Sequence, residues 1–482
     1  MPSGVETKIT TAIPARLDRL PWARFHWLVV IGLGTVWILD GLEVTIVGSM
    51  SEALKPGDTG LGLTNFQVGL AGAIYVAGAC VGALVFGQLT DRFGRKKLFI
   101  LTLVMYTIAT VLTAFSMNPV WYFACRFLTG AGIGGEYAAI NSAIDELIPA
   151  KYRGRVDLAV NGTYWGGALL GASGSFLLLN HDLVAQDWGW RIGFFIGPVL
   201  GLVIIYVRRH IPESPRWMIT HGQSAEAEQI VDDIEASVEA RGVRLEQVPD
   251  DKAMLVKAKE EIPFRQLLHV FLRQYPDRTF LGVTMMITQS FLYNAIFFTY
   301  ALVLQNFYHL SESTAALYFL PFAVGNLLGP LLLGHLFDTI GRRKMILSTY
   351  LIAGLVLLAS AALFEAHLLN AVTHTLFWCV SFFFASAGAS SAYLTVSEIF
   401  PLEVRGQAIS YFFAVAQVVG ALGPLLFGAL VGDGTARTPL FWGYVLGSGV
   451  MIVGGLVAFK FGIDAEGKGL EDVADPLSRV DR

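Results

Sequence analysis

Charge is scarce in this chain. Only 15% of its 482 residues are Asp, Glu, Lys or Arg, well below the roughly 25% of soluble globular chains, which argues against a water-soluble protein. Cysteine is scarcer still. Cys80, Cys125 and Cys379 all lie inside apolar runs, which reads as three small buried hydrophobes and excludes a disulfide framework or a cysteine metal centre. No Gly-rich loop ending in Lys-Ser/Thr occurs, so direct ATP drive by this chain is excluded. The nine histidines show no metal-ligand spacing, and no nucleophile, base and metal constellation points to an enzyme. With 34 Lys+Arg against 38 Asp+Glu, there is no basic field for nucleic acid. No cofactor and no metal are expected.

What is abundant is apolar: 54% of the residues, with 33 Phe, 51 Gly and a mean hydropathy of +0.57. At about 20 residues per crossing, half of such a chain suffices for twelve spans of a lipid bilayer. Helix-length apolar runs fall near 25–50, 64–90, 97–117, 119–146, 156–180, 190–208, 279–308, 312–337, 345–364, 371–398, 406–432 and 438–461. They predict an all-α polytopic membrane protein. Residues 1–24 carry Lys8, Arg16, Arg19 and Arg24 but no small-residue cleavage site, so no cleaved signal peptide is expected. If the N-terminus lies inside, 30 of the 34 Lys and Arg fall in inner segments, the exceptions being Lys55, Arg126, Arg191 and Arg437. Cationic side chains are retained on the cytoplasmic side, so both termini are expected there. The layout is an N-terminal tail (1–24), a six-helix bundle (25–208), a cytoplasmic linker (209–278), a second six-helix bundle (279–461) and a tail (462–482). In the linker, Ile230, Ile234 and Val238 have helical spacing and 263–276 is amphipathic.

The two halves repeat each other. GQLTDRFGRKK (87–97) aligns with GHLFDTIGRRK (334–344) at an offset of 247, and ELIPAKYRG (146–154) aligns with EIFPLEVRG (398–406) at an offset of 252. Parallel halves of this kind place a polar pathway between them near the bilayer midplane. Acids and cations at these spacings suit a reversible latch between the halves, drawn from Asp91, Arg95, Glu146, Arg153, Asp338, Arg342, Glu398 and Arg405. The blander alternative is that the cations only enforce orientation.

These motifs resemble those of a major facilitator superfamily transporter, and within it the sugar porter group and its bacterial metabolite:proton relatives. PESPRW (212–217), EIFPLEVRG (398–406) and DAEGKGLE (464–471) are similar to that group's marks. The resemblance implies two pseudo-symmetric six-helix bundles in a bacterial-type plasma membrane and a secondary transporter working by alternating access.

Charges at membrane depth cost at least ~2.5–3.5 kcal/mol each on insertion scales, so they are functional suspects. The first span holds Asp40 and Glu43, three residues apart on one helix face. The fourth holds Arg126 and Glu136 around Gly130, Gly132, Gly134 and Gly135. Arg126 needs an anionic partner among Asp40, Glu43 and Glu136. Its repeat counterpart is Trp378 and that of Glu136 is Gly388, so these charges belong to the first half alone. That asymmetry favours proton coupling over scaffolding, and either span-1 acid could carry the proton. In the seventh span Gln289, Tyr293 and Phe297 share a face, with Asn294 beside them. The resemblance implies that Gln289, Asn294, Asn161 and Asn326 contact a polar solute. The chain departs from sugar porters at Thr288, at Asn141 and at Gly388–Ser391, which puts a hexose in doubt; Trp165, Tyr164 and Trp378 are substitute aromatic walls. We therefore expect a monomeric symporter of protons with a small-molecule substrate: a sugar, a polyol or a small organic acid. An uncoupled facilitator, a proton-driven exporter and, more weakly, a nutrient sensor remain as alternatives.

Overall fold

The computed structural model describes residues 8–50, 52–55, 57, 60–178, 183–209, 211–249, 252–257, 262–297, 299–432 and 434–479. Residues 1–7 and 480–482 of the two tails, and 210, 250–251 and 258–261 of the linker, lie outside the described residues. A short strand β1 (Lys8–Thr11) and helix α1 (Ile13–Asp18) precede the first bundle, which comprises α2 (Arg24–Met50), α3 (Asn65–Phe93), α4 (Arg95–Ala114), α5 (Pro119–Leu147), α6 (Arg153–Leu178) and α7 (Gln186–Arg208). The linker contains α8 (Pro215–Thr220), α9 (Ser224–Glu239), β2 (Met254–Lys257) and α10 (Phe264–His269).

The second bundle comprises α11 (Pro276–Phe297) with its continuation α12 (Tyr300–Tyr308), a short α13 (Glu312–Leu317), α14 (Phe319–Thr339), α15 (Arg342–Glu365), α16 (Ala371–Ile399), α17 (Arg405–Gly420) with its continuation α18 (Leu422–Val431), and α19 (Thr438–Phe461). A last turn, α20 (Leu470–Val473), follows. The break between α17 and α18 lies where Pro424 cannot donate a backbone hydrogen bond to Gly420.

Ten of these segments are long and apolar enough to cross a membrane. Helices α5 and α6, which the sequence reading counts as the fourth and fifth spans, fall outside that set. They have 29 and 26 residues, ample for a crossing. The polarity of α5 has a tertiary reason: from Thr129 to Leu147 every residue of it except Tyr137 is buried. A helix enclosed by protein has no need to be apolar toward lipid. The fourth-span glycines do bring in a close neighbour, and it is α3. A Cβ on Gly130 or Gly134 would lie 2.1 or 2.0 Å from the carbonyl oxygen of Tyr75 or Ala79.

The bundles meet along two pseudo-equivalent seams, α3 with α17 and α6 with α14. Gly87 lies against Ser410 in the first, and its repeat counterpart Gly334 lies against Arg155 and Leu158 in the second. The linker and tails are not bare connectors. Strand β1 pairs antiparallel with β2, Val256 bridges to Arg479, and Ile13, Leu17, Trp217, Val231, Ile234 and Val238 form one apolar cluster. Both ends of the described chain thus meet at one end of the molecule, which also carries the repeated charged motifs and is called the charged end below.

Candidate functional site

At the charged end the repeated motifs fold into two matched halves. The last turn of α3 presents Asp91, which accepts a hydrogen bond from the backbone N–H of Gln407 at 2.9 Å, in the first turn of α17. The last turn of α14 presents Asp338, which accepts from the N–H groups of Gly154 and Arg155 at 3.0 Å each, in the first turn of α6. Each aspartate therefore sits at the N-terminus of a helix in the opposite bundle, where unpaired N–H groups and the helix dipole favour an anion. The glycines have a physical reason: a Cβ on Gly154 would lie 2.4 Å from Asp338 Oδ1, and one on Gly406 would lie 2.8 Å from Asp91 Oδ1.

Around these caps runs an ion-pair network. Arg95 contacts Asp91 at 3.1 Å and Glu146 at 2.9 Å, and Arg405 contacts Glu146 at 3.3 Å across the bundle boundary. In the other half Arg342 contacts Asp338 at 2.9 Å and Glu398 at 3.0 Å, Arg155 contacts Asp338 at 2.9 Å, and Arg153 reaches Glu398 at 3.7 Å. All eight residues expected in the latch are thus brought together. Four further members escaped the sequence reading as partners: Arg155, Arg216, Asp18 and Glu471. Arg216, in PESPRW, pairs with Asp18 of α1 at 3.0 Å and with Glu471 of α20, and Asp18 also pairs with Arg153 at 3.3 Å. Burial works against the Glu471 carboxylate, but Arg216 beside it holds its pKa below the usual carboxylate value. The network joins six arginines to six carboxylates (Asp18, Asp91, Glu146, Asp338, Glu398, Glu471) and so carries no net charge.

Inside the first bundle, Arg126 pairs with Glu43 at 2.8 Å, not with Asp40 or Glu136. The Glu43 carboxylate also accepts from Thr110 Oγ1 at 3.3 Å, and the guanidinium lies over the rings of Tyr75 (5.4 Å) and Phe194 (5.5 Å). Asp40 and Glu136 are both fully buried, and none of their four carboxyl oxygens meets a hydrogen-bond donor. Asp40, Glu43 and Glu136 interact electrostatically with one another. One compensated ion pair and two uncompensated acids therefore share this interior.

The candidate binding residues divide. Trp165 on α6 faces the second bundle, its ring 5.8 Å from Tyr293 and from Phe297 and 5.9 Å from Phe322. The Tyr293 hydroxyl donates to Asn326 Oδ1 at 2.8 Å, and the Asn326 amide nitrogen donates to Phe322 O. Gln289 lies beside Tyr393, which joins Trp37, Tyr137 and Phe413 in an aromatic cluster drawn from both bundles. Asn294 donates to Ser290 in its own helix. Asn161 donates to Asn141 Oδ1 at 3.1 Å and lies nearer the charged end. Trp378 lies apart, packed in the second bundle on His374 with ring centroids 4.1 Å apart, and beside it are Phe364 and Tyr444. Its depth along α16 was legible, but the direction of its ring was not. Among the described residues no group of three or more metal-ligating side chains occurs.

The chain is 27% identical to a niacin transporter of Acinetobacter baylyi over 95% of this chain and 99% of that one. Among solved structures, that of the proton:xylose symporter XylE bound to 6-bromo-6-deoxy-D-glucose matches with a TM-score of 0.77 at 20% identity, covering 93% of this chain and 98% of that one. The inward-open form of the E. coli xylose transporter XylE matches less well, with a TM-score of 0.62 at 18% identity, covering 93% and 99%. With residues 41–476 matched by the family model described as Sugar (and other) transporter, the chain belongs to that family, and it shares the fold of the XylE structures.

Proposed function

We propose that this transporter imports a small polar metabolite together with protons, alternating between states open to either side as its bundles rock against each other. The observation that carries this reading is the first-bundle interior: a Glu43–Arg126 pair beside Asp40 and Glu136, two fully buried acids without a cationic partner. A buried carboxyl without a partner is accommodated as a neutral acid far more cheaply than as an anion. Taking up and giving off a proton there changes the charge of the bundle interior, which is the event a symporter needs. Arg126 is paired with Glu43, and Asp40 and Glu136 carry the exchangeable proton. The excess of Lys and Arg at the charged end supports placing that end in the cytoplasm. The closed network there then acts as the inner gate, with the caps by Asp91 and Asp338 breaking and re-forming in each cycle.

Of the substrate classes considered, a small organic acid is favoured over a hexose. Trp165, Tyr293, Phe297 and Phe322 pack their rings together at the bundle boundary, while Asn294 and Asn326 bond within their own bundle. Such a wall suits a planar, partly apolar solute better than a ring of hydroxyls. The relative in Acinetobacter that carries niacin supports the same class. The test is a proteoliposome panel of radiolabelled nicotinate, benzoate, xylose, glucose and a polyol, with and without an imposed pH gradient. Accumulation of an acid that collapses with the gradient supports the reading. Equilibration that ignores the gradient makes the chain a facilitator, and accumulation in the opposite direction makes it an exporter.

Two variants refine it. Trp165→Ala is expected to raise the half-saturation concentration about tenfold, ~1.4 kcal/mol, through loss of ring stacking; an unchanged value removes Trp165 from the pocket. Asp91→Asn keeps an acceptor at the first turn of α17 but removes its charge, worth about 1 kcal/mol. Counterflow turnover should fall several-fold with no change of rank order across the panel, and an altered rank order would count against a gating role.

A further inference from the structure

Two acids at the charged end stand outside the balanced network. Asp145 on α5 and Asp157 on α6 are both fully buried, and among the described residues neither forms an ion pair. Their four carboxyl oxygens meet no hydrogen-bond donor, and neither does the buried side-chain oxygen of Asn161, one turn along α6 from Asp157. The groups facing Asp145 are Glu398 and Ser397 of α16, Arg153 at the start of α6 and Arg405 at the start of α17. Those facing Asp157 are Asp145, Glu398, Arg342 at the start of α15, and Asn161 on its own helix. Every arginine in that list is already engaged: Arg153 and Arg342 with Glu398, and Arg405 with Glu146.

The internal repeat separates scaffold from charge. Arg153 Nε donates to the backbone carbonyl of Asp145 at 3.2 Å, and at the matching place Arg405 Nε donates to the backbone carbonyl of Ser397 at 2.6 Å. The fold therefore uses the backbone at this position and asks for no carboxyl. The counterpart of Asp157 is Ile409. Both acids are thus additions to the first half, set among six arginines and six carboxylates that already cancel. Ionised, they would leave two buried negative charges beside Glu398 with no arginine around them, among the described residues, free to answer them, a cost of several kcal/mol each. Neutral, they leave the balance of the ion-pair network undisturbed.

We propose that Asp145 and Asp157 form a proton-binding site at the charged end, separate from the first-bundle interior, occupied while this end is closed and emptied when it opens. On opening, water enters between α6 and α14, each carboxyl gives its proton to that water, and the hydrated anion no longer fits the closed packing. Low pH on this side therefore favours closure and high pH favours opening. The site stands whether or not Asp40 and Glu136 couple protons to substrate.

The test needs no substrate. In full-length protein with the three native cysteines replaced by serine, Leu158→Cys puts a thiol at the buried α6–α14 seam. Its labelling by a membrane-impermeant maleimide reports opening at this end. The rate is taken relative to a cysteine at exposed Gln223, so that the titration of the thiol itself cancels. The parent ratio should rise with pH, by up to about tenfold per pH unit for each proton released. Asp145→Asn and Asp157→Asn, each of which holds one of the two sites neutral permanently, should label more slowly and lose one proton's share of the pH slope, the double variant should lose the slope altogether, and each single variant should remove a carboxylic-acid C=O band from the infrared spectrum. Should Asp145→Asn fold poorly, Asp145→Ser, which copies the repeat, should behave the same way. The proposal is overturned if these variants keep the parent pH slope and infrared bands. It is equally overturned if the slope is lost in Asp40→Asn or Glu136→Gln alone, or if sodium and not pH shifts the ratio.

Discussion

Glu43→Gln should abolish accumulation of substrate against its gradient while leaving a protein that unfolds far more easily than the parent. The first effect follows from losing the charged pair beside Asp40 and Glu136, the second from what the loss of the anion does to Arg126. Arg126 is buried, and Glu43 is its sole ion-pair partner among the described residues. Removing the anion leaves a guanidinium charge in the bundle beside the rings of Tyr75 and Phe194, with no anion paired to it among the described residues. Breaking one side of a buried pair costs about 3–5 kcal/mol, more than the pair is worth relative to an apolar substitute. The double variant Glu43→Gln/Arg126→Leu should therefore recover most of the thermal stability without recovering accumulation. Asp40→Asn and Glu136→Gln should show the converse: stability close to or above that of the parent, because each removes an uncompensated acid, and uptake that runs only to equilibration. Uptake driven by an imposed pH gradient and thermal unfolding in detergent separate the two behaviours. Concentrative uptake by Asp40→Asn and Glu136→Gln alike would end the coupling assignment, and unchanged melting of Glu43→Gln would contradict the burial argument for Arg126.

Gly167→Val should cost the first bundle its native packing. Helices α2 and α6 cross so closely that a Cβ on Gly167 would lie 1.8 Å from the carbonyl oxygen of Ile38, and one on Gly41 would lie 1.8 Å from that of Tyr164. The atoms in the way are backbone, so no side chain can swing aside and the helices must part. Overpacking usually costs 1–3 kcal/mol where side chains can adjust; here we expect about 3 kcal/mol or more. Gly167→Ala should lie between the parent and Gly167→Val. The measurement is the fraction of monodisperse protein after heating, compared with Gly166→Val, where a Cβ meets nothing within 4 Å. Equal behaviour of the two valine variants would refute the close crossing. The same crossing positions Asp40 and Glu43 on α2, so parting the helices also loosens the first-bundle interior.

The motifs of the charged end were legible because they repeat: two copies of an acid, a glycine and a cluster of cations mark the same place in each half. Their partners were not legible. The sequence suggests that Asp91 and Asp338 pair with cations, whereas each also caps a helix of the opposite bundle. Nothing in the spacing along one helix announces an N-terminus on another. The same holds for Arg126, for which three acids were candidates at suitable depth and packing selects Glu43. Asp145 and Asp157 each adjoin a charged motif, and nothing in the spacing marks them as unpaired. Only the whole set of pairs shows that the arginines around them are taken. Asn161, Gln289, Asn294 and Trp378 lie at plausible depths, but the rotation of each helix about its axis decides what they touch. For Trp378 that is His374 and the interior of its own bundle.

By itself the sequence determined that this is a polytopic helical membrane protein of two repeated halves, with ionisable groups at depth confined to the first. Those properties follow from quantities that accumulate along the chain: apolar length set by bilayer thickness, scarcity of charge, and motif order. The tertiary structure decided which charge meets which, that α5 can be polar because protein encloses it, and that the residues flanking the bundles fold together at the charged end. Those outcomes depend on helix rotation and crossing distance. Both are set by contacts between residues far apart in the chain, such as Gly41 with Tyr164 and Gly154 with Asp338, which no local pattern encodes.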